Sequence, residues 1–320
     1  MAIPNNIKSE MKKALRLIDA SQRIFLTTHE GTDGDDLGSA LAMRLGLLKL
    51  GKDVTVAIHK GVPDYLKFLA GSEGVTEKLE SIDFDLVIIF GCNQITRTGL
   101  PVLKKFAGSV VNIDHHPDNK LFGAVNIVEP STSSVAELMW YFFQTGRWEI
   151  TKDMATCLLT GIFTDTGGFK HANTTSQTLE VASELLKKGA RVEKISQLIV
   201  GQNNPASIRI WARALENMRY DAKRQMVYSV LTEKDFQETQ STDADLGGFV
   251  NFLITIPHAK FSMLLTQDGE VVRGSLRSEP DRNVDVNKIA VLFGGGGHKL
   301  ASGFKIKGKL EKVGRGWKIV

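Results

Sequence analysis

A chain of 320 residues with 42% hydrophobic and 24% charged side chains has the ordinary mixture of a globular protein. That length suggests two domains, each able to bury a core without disulfides or a structural metal. Two cysteines, Cys92 and Cys157, with no CxxC spacing, exclude a disulfide framework and a zinc finger. The longest apolar runs, such as Leu86–Phe90 and Met139–Phe143, are too short to span a bilayer. Met1–Ala20 reads as an amphipathic helix rather than a signal peptide, so a soluble cytoplasmic protein without a membrane partner is expected.

The net charge of +4 is unevenly placed. Lys299–Val320 holds seven basic side chains against one acid, Glu311, which leaves the rest of the chain slightly negative. A basic tail of this kind either meets a polyanion or keeps a solvated strand edge from aggregating, and charge alone does not choose between them.

The first half alternates strand-like and helix-like segments. Arg23–Thr28, Asp53–Ile58, Leu86–Phe90 and Val110–Ile113 read as strands. Leu37–Leu50, ending at Gly51, reads as a helix, and Asp64–Ala70, closed by Gly71, as a short one. This order predicts an open, mostly parallel Rossmann-like sheet with helices on both sides, with ligands beyond the carboxyl ends of its strands. Helical periodicity then covers Ser133–Thr145, Lys152–Thr164, Thr174–Lys188 and Val192–Val200, with Gly189 as a C-cap. Gly201-Gln-Asn-Asn-Pro205 breaks the pattern before a connecting helix at Ile208–Met218. Strand character returns in Gln225–Leu231, His258–Gln267 and Glu270–Leu276, with Asp268-Gly269 signalling a hairpin. The expected organisation is a first domain over residues 1–200, a linking helix over 201–220 and a smaller α/β domain over 221–320.

Polar residues gather at element ends in the first domain. Thr28-His29-Glu30-Gly31-Thr32-Asp33-Gly34-Asp35-Asp36 follows the first strand, and Asp114-His115-His116 follows the strand at Val110–Ile113. Thr164-Asp165-Thr166 closes the Lys152–Thr164 helix. Each has a plainer reading alone: a turn and helix N-cap at Asp33, surface histidines at His115 and His116, a cap at Asp165. Three such sites in a fold whose strand ends converge point instead to a divalent metal, because paired aspartates repel unless a cation lies between them. In the second domain, Ser275–Ser278 and the run Gly294-Gly-Gly-Gly-His298-Lys299 suit close approach to a phosphate or ribose, although a turn explains a glycine run equally well.

In this order the motifs resemble the DHH phosphoesterases, most closely their two-domain oligoribonuclease/pAp phosphatase (nanoRNase) subgroup, from about Lys8 to Ile306. The resemblance implies two manganese ions, with His29 and Asp33 holding one and Asp35, His115 and Asp165 the other. It implies that Asp114 orients its neighbouring histidine and that His116 faces the scissile phosphate. Arg97 would contact a substrate phosphate, and Arg277, Ser278, Gly296, Gly297 and His298 would bind the nucleotide across an interdomain cleft. A homodimer is the assembly considered.

One family residue is missing. Relatives carry a metal-bridging aspartate after the strand at Leu86–Phe90, where this chain has Gly91. Two dications about 3.5–4 Å apart repel by roughly 15–20 kcal/mol at an effective dielectric of about 20, which a shared carboxylate offsets. Cys92, Asn93 and Asp85 each make poor substitutes, by direction, by charge or by position. Weakened or single-metal occupancy is therefore expected. The function expected is metal-dependent hydrolysis of short oligoribonucleotides, linear dinucleotides or 3′-phosphoadenosine 5′-phosphate. The alternatives are a nucleotide-binding protein that has lost catalysis and a pyrophosphatase or polyphosphatase of the same superfamily.

Overall fold

A computed structural model describes residues 3–79, 81–200, 205–314 and 316–320. The break expected at Gly201-Gln-Asn-Asn, the first two residues of the N-terminal helix pattern and Arg315 of the basic tail lie outside them. Contacts divide the chain into two compact units, Met1–Gln202 and Asn203–Val320.

In the first unit, α1 (Asn5–Ala20) buries Ile7, Met11, Ala14 and Ile18, the single stripe that helical spacing predicts. Six parallel strands follow: β1 (Arg23–Thr28), β2 (Asp53–Ala57), β3 (Val75–Thr76), β4 (Leu86–Phe90), β5 (Ser109–Asp114) and β6 (Val125–Val128). Their spatial order is β3-β2-β1-β4-β5-β6. The chain winds one way from β1 to β3 and the other way from β4 to β6, so the switch falls between β1 and β4. Ligands of such sheets bind at that point, beyond the strands' carboxyl ends. Thr28 pairs with Phe90, and Phe90 with Ile113, so the ends of β1, β4 and β5 lie level.

β4 is buried along its whole length and splits its side chains between two layers. Ile88 and Phe90 join the larger core with Ile24, Leu26, Leu41, Phe142 and Leu158, whereas Val87 and Ile89 join Phe25, Cys92 and Leu103. Each of these large side chains contributes about 1.5–3 kcal/mol by leaving water. The larger layer holds α1, α2 (Gly34–Lys49), α3 (Val135–Gly146), α4 (Lys152–Asp165), α5 (Ser176–Lys187) and α6 (Val192–Val200).

The smaller layer departs from the expected helices on both sides. Among the described residues it is covered by 3-10 turns at Ile95–Thr98 and Pro101–Lys105 and by loops. Gly99, at φ +67°, and Pro101 interrupt this connection too closely for an α-helix to nucleate. The short helix expected at Asp64–Ala70 is likewise only a 3-10 turn over Asp64–Leu66.

α2 and α4 approach closely. A Cβ at Gly38 would overlap the Cys157 carbonyl oxygen, and one at Gly161 would lie 2.9 Å from Asp35 Oδ1. This approach brings the start of α2 beside the end of α4.

The second unit is a mixed sheet. Its elements are α7 (Pro205–Glu216), β7 (Arg219–Asp221), β8 (Met226–Leu231), α8 (Glu233–Thr239), α9 (Phe249–Ile254), β9 (Phe261–Asp268), β10 (Val271–Ser278), α10 (Val286–Leu292), β11 (Gly296–His298) and β12 (Ala301–Lys307), with a final hairpin of β13 (Leu310–Val313) and β14 (Gly316–Ile319). The sheet order is β11-β12-β10-β9-β8-β7, parallel between β8 and β9 and antiparallel elsewhere. The Asp268-Gly269 hairpin forms as the sequence predicts, with Gly269 at φ +60° opening its loop. Ile210, Val227, Phe249 and Leu264 pack on one face of the sheet, and Leu265, Val272, Leu276 and Phe304 on the other.

Candidate metal centre and nucleotide-facing residues

The loop after β1 leads straight into α2. Asp33 caps that helix: its Oδ1 accepts from the backbone N–H groups of Asp35 and Asp36 at 3.0 and 3.2 Å. The capping reading of Asp33 is therefore correct, and it coexists with a site. Capping fixes the first turn, so Asp35 and Asp36 enter the protein from adjacent helical positions.

Asp35 is buried, and both of its oxygens accept from the first turn of α3, Oδ2 from Val135 N at 2.7 Å and Oδ1 from Ala136 N at 2.8 Å. Positive peptide dipoles at that helix start favour the charge. Burial nevertheless raises its pKa well above the usual carboxylate range, aided by Asp165, Asp36 and Asp33.

Asp165, at the end of α4, lies 3.6 Å from His115 Nε2. His115 Nδ1 faces the Thr132 carbonyl at 3.3 Å, which leaves Nε2 pointing to the carboxylate. Donor atoms of Asp35, His115 and Asp165 all lie within 4.8 Å of one another. The three residues expected to share one ion are therefore brought together.

A second cluster forms beside the first. His29, Asp33 and Asp36 also bring donor atoms within 4.8 Å of one another. His29 Nδ1 faces the Glu30 carbonyl at 2.7 Å, and its Nε2 is 2.6 Å from Asp36 Oδ2. The neighbouring Asp36 carboxylate raises the His29 pKa to about 9 against the opposing effect of burial. Burial, with Asp33 nearby, raises Asp36 to about 7. Two buried carboxylates held beside a third and a fourth, with imidazole nitrogens turned toward them, suit a divalent cation of the manganese, iron or zinc type.

Asp36 is the residue that sequence reasoning missed. It stands in the quoted motif, but the resemblance supplied no role for it. The available signal was the third acid of Asp33-Gly34-Asp35-Asp36 together with the missing carboxylate at position 91.

Asp114, at the end of β5, is fully buried. Its Oδ1 accepts from His115 N, from His116 N and from His116 Nδ1 at 2.7, 3.1 and 2.7 Å, and its Oδ2 accepts from Asn119 Nδ2 at 2.5 Å. Burial alone would raise its pKa, but the bonds from His116 and Asn119 prevail and lower it. The same contact with Asp114 raises His116 above its ordinary value. The ring held by Asp114 is thus that of His116. Arg97 sits on the neighbouring 3-10 turn, where its carbonyl accepts from Glu30 N at 2.7 Å and ties that turn to the loop carrying His29.

In the second unit, Arg277 on β10 lies opposite Ala301 on β12, which lies opposite His298 on β11. Directly opposed residues share a face, so the guanidinium and the imidazole flank a small side chain. The next row, Ser275, Gly303 and Gly296, is equally small. Gly297 has φ +143°, and a Cβ there would fall 2.6 Å from the Ala301 carbonyl oxygen, so only glycine fits. Ser278 differs from these: it is buried, and its hydroxyl donates to the Lys260 carbonyl at 2.8 Å.

Comparison with known proteins agrees with these features. A model of the DHH family, N-terminal domain, matches residues 23–162, and a model of the DHHA1 domain matches residues 223–315. The bifunctional oligoribonuclease and PAP phosphatase NrnA of Thermus thermophilus is 32% identical over 287 residues, covering 89% of this chain and 84% of that protein. The structure of an exopolyphosphatase-related protein from Bacteroides fragilis superposes with a TM-score of 0.88 at 26% identity, covering 94% of this chain and 92% of the other. Exonuclease RecJ bound to manganese shares the fold, with a TM-score of 0.54 at 17% identity over 96% of this chain and 92% of that one. On these grounds the chain belongs to the DHH family, with an N-terminal DHH domain followed by a DHHA1 domain.

Proposed function

We propose that this protein is a divalent-cation-dependent phosphoesterase that acts on short nucleotides: oligoribonucleotides of a few residues, linear dinucleotides or 3′-phosphoadenosine 5′-phosphate. The observation that carries the reading is the pair of donor clusters, Asp35/His115/Asp165 and His29/Asp33/Asp36, at the carboxyl edge of the parallel sheet. The substrate class is supported by the Thermus relative, a bifunctional oligoribonuclease and PAP phosphatase, and manganese by RecJ, which was crystallised bound to that ion.

The donor set fits a cation, because four carboxylates and two imidazoles converge and one buried oxygen of the set, Asp36 Oδ2, finds no partner with hydrogen-bond geometry among the described residues. Asp35, His115 and Asp165 with His29, Asp33 and Asp36 would hold manganese, which would supply Lewis-acid chemistry toward a phosphoryl group and a water. Asp114 holds the His116 ring through Nδ1, so His116 keeps its other nitrogen, Nε2, for the substrate. The raised pKa of His116 favours a proton there, which would donate a charge-assisted hydrogen bond to a phosphate oxygen. Arg97 binds a second phosphate, as a guanidinium on the same rim. Arg277 and His298, over their floor of glycine and alanine, hold the nucleotide.

The test is hydrolysis of the RNA dinucleotide pApA and of 3′-phosphoadenosine 5′-phosphate by purified protein with manganese. Release of mononucleotide or phosphate that EDTA abolishes is the expected result. Nucleotide binding without hydrolysis would replace this reading with that of a catalytically silent binding protein. Cleavage of pyrophosphate or polyphosphate alone would replace it with a phosphate-chain hydrolase.

A further inference from the structure

We propose that Asp36, on the first turn of α2, is a metal ligand that supplies from the helix the carboxylate lacking at the end of β4. The proposal rests on the cation-dependent reading above. Its first support is burial. An acidic residue in a first helical turn ordinarily serves the helix dipole from a solvated position. Asp36 is only 2% exposed, and its Oδ2 has no partner with hydrogen-bond geometry among the described residues. It lies 2.6 Å from His29 Nε2, so an imidazole nitrogen and a carboxylate oxygen face the same small volume. A buried carboxylate that faces a single imidazole beside other acids is costly, and a shared cation removes the cost.

The second support is independent and concerns position 91. A Cβ at Gly91 would overlap the Asp36 carboxylate at Oδ1 and Cγ and would lie 2.9 Å from Oδ2. The volume a side chain at 91 would need is therefore already filled by Asp36. Gly91 also has φ +58°, a conformation that most side chains avoid. Positions 36 and 91 are alternative sources of one carboxylate in one place, and the glycine is the condition for the aspartate.

The neighbours considered from sequence are committed elsewhere. The Cys92 thiol donates to the Gln94 carbonyl, and Asn93 Nδ2 donates to Asp118 Oδ2 at 2.7 Å. Asp85 accepts from Gln22 and Arg23 at the opposite end of the sheet. With Asp36 included, Asp33, Asp35 and Asp165 are joined by a fourth carboxylate, and −4 balances the +4 of two divalent ions. The weakened occupancy expected from Gly91 has a compensating group beside it.

Manganese binding to the full chain, followed by calorimetry and by the fall of the free-ion EPR signal, tests this in wild type, Asp36→Asn, Asp36→Ala and Asp36→Ala/Gly91→Asp. Wild type is expected to take two ions. Both single variants should keep one ion and bind the second at least tenfold more weakly. Their metal-free melting temperatures should be at or above that of wild type, which shows that they fold. The double variant should recover at least tenfold of the lost affinity, since aspartate tolerates the left-handed backbone better than most residues. Two ions bound to folded Asp36→Ala within threefold of wild-type affinity would overturn the proposal. No recovery in the double variant would overturn the exchange of positions 36 and 91. Wild type that binds no manganese would overturn the cation-dependent reading itself.

Discussion

His116 Nδ1 and Asp114 Oδ1 are 2.7 Å apart, with the carboxylate fully buried and the imidazole open to the rim. The buried partner fixes the exposed ring and raises its pKa. Asp114→Asn keeps the shape and removes the charge. The His116 pKa, followed by NMR, should fall toward or below its ordinary 6.5, and turnover should drop about 10- to 100-fold, as when an orienting partner is lost at a metal site. The alkaline limb of the pH–rate profile should move to lower pH with it.

Metal removal should make stability depend on pH in one direction. A raised histidine contributes stability that is present below its unfolded pKa and is lost as pH rises through the folded value, here from 6.5 to about 9 for His29. A raised carboxylate disfavours the fold as it ionises, here between 3.8 and about 7 for Asp36, and Asp35 shifts the same way. EDTA-treated protein should therefore melt at progressively lower temperature from about pH 4 to pH 9. Manganese should reverse that trend and release protons on binding near neutral pH, visible as a dependence of binding heat on the buffer's ionisation enthalpy.

The contact between α2 and α4 leaves no room for a side chain at Gly38. Gly38→Ala should destabilise the protein by about 1–3 kcal/mol, the usual cost of overpacking, measured by urea unfolding. Because the contact also sets Asp35 beside Asp165, manganese affinity should weaken in the same variant. Unchanged affinity would separate the packing from the site.

The proposed function gives Arg97 and Arg277 different roles toward the substrate, and the roles can be tested separately. Arg97→Ala should raise KM about tenfold for a substrate with a second phosphate, consistent with about 1.5–3 kcal/mol for a hydrogen bond to a charged group. Arg277→Ala should raise KM for every nucleotide and leave manganese binding unchanged. Steady-state kinetics on pApA and on ApA, which lacks the second phosphate, distinguishes the two patterns.

Where local chemistry dominates, the sequence is readable. The runs at Arg23–Thr28 and Leu86–Phe90 are buried parallel strands because continuous apolar side chains can be satisfied only inside a covered sheet. Asp35, His115 and Asp165 converge because each ends or begins a regular element at the same edge. Asp36 was readable only as the third acid of its motif, since its placement in the donor cluster depends on the space that Gly91 leaves for it, a relation between distant positions. The smaller layer was misjudged for a similar reason: whether a short segment becomes a helix or a 3-10 turn is decided by what it must cover. Ser278, named from the motif beside Arg277, alternates to the buried face of β10, which a motif does not record.

Of the two donor clusters, His29, Asp33 and Asp36 come from one short stretch of chain, whereas Asp35, His115 and Asp165 come from widely separated parts of the first unit. During synthesis Asp35 leaves the ribosome long before Asp165, so a nascent chain cannot complete the latter cluster until α4 has docked on α2. Under the proposed reading, an ion at that cluster would have to wait for a finished fold, while the local cluster alone would offer a half-made protein only a partial site.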